Sequence, residues 1–131
     1  CAEYGKEHGV IVGLQHHDDF LKTADQTIQV VEAVNSPWFS VILDVGSVRQ
    51  HDVYEEIEKL VPYAATWQVK EEVWYGEKAV PIDLHRLKAV IDRVGYRGFL
   101  PFEALGSDPT AQARMKRVAH FLEQIKEVFF S

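Results

Sequence analysis

The sequence has 131 residues, 47% of them hydrophobic and 26% charged, with a formal net charge of −6. That is one domain's worth of ordinary globular composition, long enough to bury a core. An acidic chain without a basic stripe argues against a nucleic-acid or anionic-membrane partner, and no stretch approaches the roughly 18 apolar residues of a membrane span.

In chain order, residues 1 to 9 read as the end of a helix closed by Gly9. A strand is predicted over Val10 to Gln15, opening into the polar cluster Gln15-His16-His17-Asp18-Asp19. Thr23-Ala24-Asp25-Gln26 has the form of a capping box, with Ile28, Val31 and Val34 along one face of the helix it starts. A second strand, Ser40 to Asp44, is followed by a helix opening at Asp52, striped by Val53, Ile57, Leu60 and Val61 and stopped by Pro62. The third strand is Thr66 to Lys70. Asp83 starts a helix with Leu84, Leu87, Val90, Ile91 and Val94 inside and Gly95 as its terminal cap. The fourth strand, Phe99 to Glu103, contains Pro101, which removes a ladder donor and suits a sheet edge or irregularity. Asp108-Pro109 is predicted to open the last helix, with Val118, Leu122, Ile125 and Phe129 on its apolar face.

Strands that alternate strictly with helices imply an α/β fold with a parallel sheet and right-handed crossovers. Each strand is nearly continuously apolar and ends on a polar residue: Gln15, Asp44, Gln68 (with Lys70) and Glu103. Those ends lie roughly 30 residues apart, the repeat of an eight-unit barrel of about 250 residues. The four groups therefore converge on the edge where parallel α/β folds bind ligands.

The segments GVIVGLQHH, VILDVGS, ATWQVKE and GYRGFLPFEALG resemble the C-terminal half of the xylose isomerase-like TIM barrels, the sugar phosphate isomerases/epimerases. The resemblance covers nearly the whole chain. It implies one domain over residues 1–131, the last four strand–helix units of a barrel. It also implies a divalent metal (Mn²⁺, Mg²⁺ or Zn²⁺) at the mouth, held at positions that are Gln15, Asp44, Gln68 and Glu103 here. The family has Glu at the first position and His at the third. An amide oxygen can ligate a hard cation, but zinc loses its nitrogen ligand. Gln15 also cannot act as the second base of a two-carboxylate epimerisation. Ser47 stands where some members carry a substrate-contacting His.

His17 is a candidate ligand or base, since imidazole titrates near neutrality; His16 is expected to point away from the site. Asp18 and Asp19 read as solvated or capping carboxylates. Glu103 is the first candidate for proton transfer. Lys70 matches a lysine of the family pattern and is a candidate for contacting substrate, with a salt bridge to Glu71 or Asp44 as its structural alternative. Arg49 and His51, in the loop after Asp44, are candidates to reach substrate. Trp67, Trp74 and Tyr75 are candidates to stack on a sugar ring, core packing being the alternative. No G-x-S-x-G, G-x-G-x-x-G or P-loop pattern occurs, so no nucleotide cofactor is expected.

The expected function is metal-assisted proton transfer on a sugar, sugar phosphate or derivative in a parent barrel. The alternatives are a non-catalytic carbohydrate-binding barrel and a metal-independent lyase or hydrolase acting on an oxidised sugar. The lone Cys1 excludes an internal disulfide framework and suits a reducing compartment or an indifferent one; with no targeting segment in the sequence, a cytoplasmic location is the expectation. Because Cys1 stands where Met is usual, the chain is read as part of a longer protein. Half a barrel has open sheet edges and an uncovered inner face, so association into a homo-oligomer is expected, and the piece alone is expected to be inactive.

Overall fold

The computed structural model describes residues 1–17, 20–49, 52–104, 106 and 108–130. Asp18, Asp19 and His51 therefore lie outside the described residues. The chain runs α1 (Ala2–Glu7), β1 (Val12–Gln15), α2 (Ala24–Val34), β2 (Phe39–Asp44), α3 (Val53–Leu60), β3 (Ala64–Gln68), β4 (Glu72–Tyr75), β5 (Lys78–Pro81), α4 (Leu84–Val94) and α5 (Ala111–Phe129). No described helix is long and apolar enough to cross a membrane.

Helix ends are set by local hydrogen bonds that orphan N–H groups demand. The Thr23 hydroxyl accepts from the Gln26 N–H, and the Gln26 side chain accepts from the Thr23 N–H, so the capping box is complete. Asp52 and Asp83 cap α3 and α4, and Gly95 ends α4 in the left-handed region at φ +75°. Pro62 falls in a short 3₁₀ turn, Val61–Tyr63, just past α3. The last helix begins later than the Asp108-Pro109 signal predicts. Asp108 is drawn into an ion pair with Arg117 at 2.9 Å, and Thr110 caps α5 instead.

Strands β1, β2 and β3 form a parallel sheet in that order. Between β2 and β3 the register slips by one residue, Val41 facing Ala64 but Ile42 facing Thr66. Because strand side chains alternate faces, that slip decides what reaches the ligand edge. It sets Gln68 level with Asp44 and turns Trp67 to the other face, level with Leu43.

The fourth predicted strand is reduced to one bridge, between Val69 and Phe102. Its two bonds run from the Val69 N–H to the Pro101 carbonyl and from the Glu103 N–H to the Val69 carbonyl. Pro101 has no N–H to extend the ladder, and the Phe99 carbonyl is occupied by the Tyr96 hydroxyl at 3.0 Å. The bridge still carries Glu103 to the end of the sheet beside β3.

The core lies between the sheet and the helices. Leu43, Trp67, Ile57, Leu60, Leu87 and Val90 are buried there, as the stripes of α3 and α4 anticipate. Two predicted faces differ. Leu122 is 40% exposed while its neighbour Phe121 is 5% exposed, so α5 presents Phe121 with Ile125 and Val128 to the core. On α2, Ala24 and Thr27 are buried and Val34 is exposed, because the helix packs through its N-terminal turns.

Sequence reasoning missed the antiparallel hairpin β4–β5, which follows the third strand. Its signal was present. The two-residue loop Gly76-Glu77 joins apolar runs, and Gly76 takes the positive φ (+61°) that such tight hairpin turns require.

Candidate active site at the mouth of the sheet

The C-terminal ends of the strands bring Gln15, Asp44, Gln68, Lys70 and Glu103 together, with His17 beside them. Asp44 is the hub and is fully buried. Its Oδ1 accepts from the Gly46 N–H at 2.9 Å. Its Oδ2 accepts from the Lys70 ammonium at 2.7 Å and from the Gln15 amide at 3.3 Å. The same Gln15 Nε2 donates to Gln68 Oε1 at 2.6 Å, so the two amides are tied to each other across the mouth.

Lys70 also approaches Glu103 Oε2 at 3.4 Å, so its ammonium sits between two carboxylates. The structural alternative for Lys70 is thus realised with Asp44 and not with Glu71, which pairs with Arg117. Glu103 Oε2 is buried and makes no hydrogen bond, while its carboxylate as a whole stays partly open to the mouth. Beside the Lys70–Glu103 pair lies a cleft of about 880 Å³, walled by the β4–β5 hairpin, the first turn of α4 and the face of α5.

The cluster Gln15-His16-His17 continues the alternation of β1 past its end. Gln15 and His17 turn to the mouth; His16 turns inward and is buried. His17 Nε2 lies 3.8 Å from Asp44 Oδ2, with its ring more than half exposed. His16 Nε2 accepts from the Asp44 backbone N–H at 3.2 Å, which places the ring's proton on Nδ1. Burial pushes the His16 imidazole from 6.5 down to about 4, although the Asp44 carboxylate pulls it upward. His16 does point away from the mouth, as expected, but it serves the site by fixing the backbone of its central carboxylate.

Two predicted contact residues have other partners. Trp67 is 1% exposed and packs in the core against Tyr96 at 5.4 Å between rings, the register slip having turned it from the mouth. Arg49 lies over the Trp74 ring at 4.6 Å, and its carbonyl accepts from the Gly76 N–H. It therefore ties the loop after β2 to the hairpin. Ser47 is buried and its N–H bonds back to the Asp44 carbonyl.

The four positions expected to hold a metal do converge, but the residues present fit a divalent cation poorly. Both Asp44 oxygens are already bonded, the Gln68 amide oxygen is taken by Gln15, and an ammonium lies between the carboxylates. Among the described residues, no three His, Cys, Asp or Glu side chains form a metal-binding group.

The family model described as "Xylose isomerase-like TIM barrel" matches residues 1–125, and the chain belongs to that family. No curated protein matches it by sequence. Solved structures share the fold. A xylose isomerase domain protein from Planctomyces limnophilus superposes with a TM-score of 0.74 at 18% identity, over 96% of this chain and 50% of that one. An L-ribulose 3-epimerase gives 0.68 at 20% identity, over 97% and 51%. A xylose isomerase-like TIM barrel protein from Mycobacterium smegmatis, in complex with magnesium, gives 0.65 at 17% identity, over 97% and 47%. The chain thus spans about half the length of these barrels, and its sheet is a partial TIM barrel.

Proposed function

We propose that the complete barrel to which this half contributes transfers a proton on a sugar or sugar derivative, with Glu103 as the base. The observation that carries the reading is Glu103 Oε2: buried, without a hydrogen bond, and facing the Lys70 ammonium at the mouth. A carboxylate so placed can take the proton from a carbon next to a carbonyl. The C–H electron pair then forms the enediolate, whose oxygen takes a hydrogen bond from Lys70. Reprotonation of the same carbon on the opposite face epimerises the sugar; reprotonation of the neighbouring carbon, with the hydroxyl proton passing between the two oxygens, isomerises it. His17 is the available proton donor on the Gln15 side, where the family's second Glu is missing. The likeness of the fold to an L-ribulose 3-epimerase is consistent with this chemistry.

The Gln15–Gln68 pair favours a second reading, a carbohydrate-binding barrel in which amides hold hydroxyl groups and no proton moves. Deuterium uptake from D₂O into aldo- and keto-sugars, followed by proton NMR on the complete barrel, separates the two. Exchange that Glu103→Gln abolishes while sugar binding persists supports the enzyme. Binding without exchange, unaltered by Glu103→Gln, supports the binder.

A further inference from the structure

Asp44 and Glu103 are two carboxylates in one partly buried mouth, and such a pair demands a cation. We propose that this cation is Lys70 itself: its ammonium occupies the place a divalent metal would need, and the mouth works without a metal ion. The inference rests on the reading above only in taking this mouth as the site.

Three features carry it. The first is position: Lys70 Nζ is 2.7 Å from Asp44 and 3.4 Å from Glu103, so one ammonium serves both carboxylates. The second is the groove that brings it there. A Cβ on residue 46 would lie 2.6 Å from Lys70 Cδ, so a glycine at that position lets the lysine stem lie against the backbone. The contact is to the middle of the stem and not its mobile end, which makes Gly46 part of the device. The third is the state of the remaining donors. Gln15 Nε2 donates to Gln68 Oε1 and to Asp44 Oδ2, and the Gly46 N–H donates to Asp44 Oδ1. Two carboxylates and one ammonium leave one net negative charge, and a dication between the carboxylates would be repelled by Lys70.

The substitution changes what the site can hold. A metal chelates two neighbouring substrate oxygens, whereas an ammonium has three N–H donors. One is donated to Asp44, which leaves two for carbonyl or hydroxyl oxygens of a substrate, each held singly and not in a chelate.

The test is a Mn²⁺ titration of this chain, by calorimetry and by the electron paramagnetic resonance of bound manganese. Three proteins are compared: wild type, Lys70→Met and Lys70→Met/Asp44→Asn. Wild type should take up no stoichiometric Mn²⁺. Lys70→Met should bind it about a hundredfold more tightly, because one positive charge is removed from the site. The double variant should lose that gain. Stoichiometric Mn²⁺ bound by wild type at micromolar concentration overturns the proposal. So does a Lys70→Met variant with unchanged circular dichroism and no gain. Should Lys70→Met fail to fold, Gly46→Ala serves in its place: it displaces the lysine stem, and a folded variant must likewise gain Mn²⁺. Manganese binding by wild type would leave the proton-transfer reading standing, and a failure of deuterium uptake would leave this one standing.

Discussion

The backbone N–H of Asp44 donates to His16 Nε2 at 3.2 Å, joining the end of β1 to the end of β2 below the mouth. Protonating that nitrogen would set two N–H groups against each other in a buried site. Burial accordingly holds the His16 pKa at about 4, below its ordinary 6.5. The unfolded chain takes up the proton as pH falls through 6.5, and the folded chain does so only near 4. Stability is therefore fully present above about pH 6.5 and lost as pH falls toward 4, by about 3 kcal/mol in all. Urea unfolding across that range should show the loss, and His16→Gln should flatten it. A His16→Gln protein with the same pH slope would refute the assignment.

Asp44→Ala removes the partner of a nearly buried ammonium and leaves the Gly46 N–H without its acceptor. Breaking such a pair should cost about 3 kcal/mol, and Asp44→Asn less, because the amide oxygen can still accept from Gly46. Equilibrium unfolding in urea measures both. Equal losses would mean that the hydrogen bond from the Gly46 N–H contributes nothing.

Glu56 holds two helices together. Its Oε2 accepts from the Ala24 N–H at 2.7 Å, at the first turn of α2, and its Oε1 accepts from Lys59 at 2.8 Å. Glu56→Ala should destabilise by about 2 kcal/mol, since a buried N–H loses a charged acceptor. The Ala24 amide should then exchange its hydrogen faster than the middle of α2. Unchanged Ala24 exchange would show that the contact does not hold the helix start.

What was legible in the sequence was local. Thr23, Asp52 and Asp83 announce helix starts because capping is settled within three residues, and the stripes of α3 and α4 follow from a 3.6-residue period. The polar strand ends were legible for the same reason, and they do meet. The one-residue slip at Ala64–Thr66 was not, because register is decided by a neighbouring strand. It is what takes Trp67 out of the mouth. For Lys70 the sequence offered a salt bridge to Asp44 or to Glu71 and could not choose, since the choice depends on the space above Gly46, a residue distant in sequence. Asp108 was misread as a helix start because its partner Arg117 lies a full two turns into the helix it was expected to open.

The inner face of the sheet should drive association. Among the described residues strand β1 pairs only with β2, Ile11 is 52% exposed and Phe99 is 87% exposed. An uncovered edge beside exposed apolar side chains favours a second copy that completes the barrel. Sedimentation velocity should give the mass of two chains. Ile11→Asp should shift the population toward one chain, with a lower unfolding midpoint. A monomer with cooperative unfolding, indifferent to Ile11→Asp, would contradict this.

The most direct test of the account is a crystal structure of the chain grown in millimolar Mn²⁺, with data collected at the manganese absorption edge. The Lys70 ammonium should lie between Asp44 and Glu103, with no anomalous peak at the mouth. A manganese peak bonded to both carboxylates, with Lys70 swung away, would contradict it.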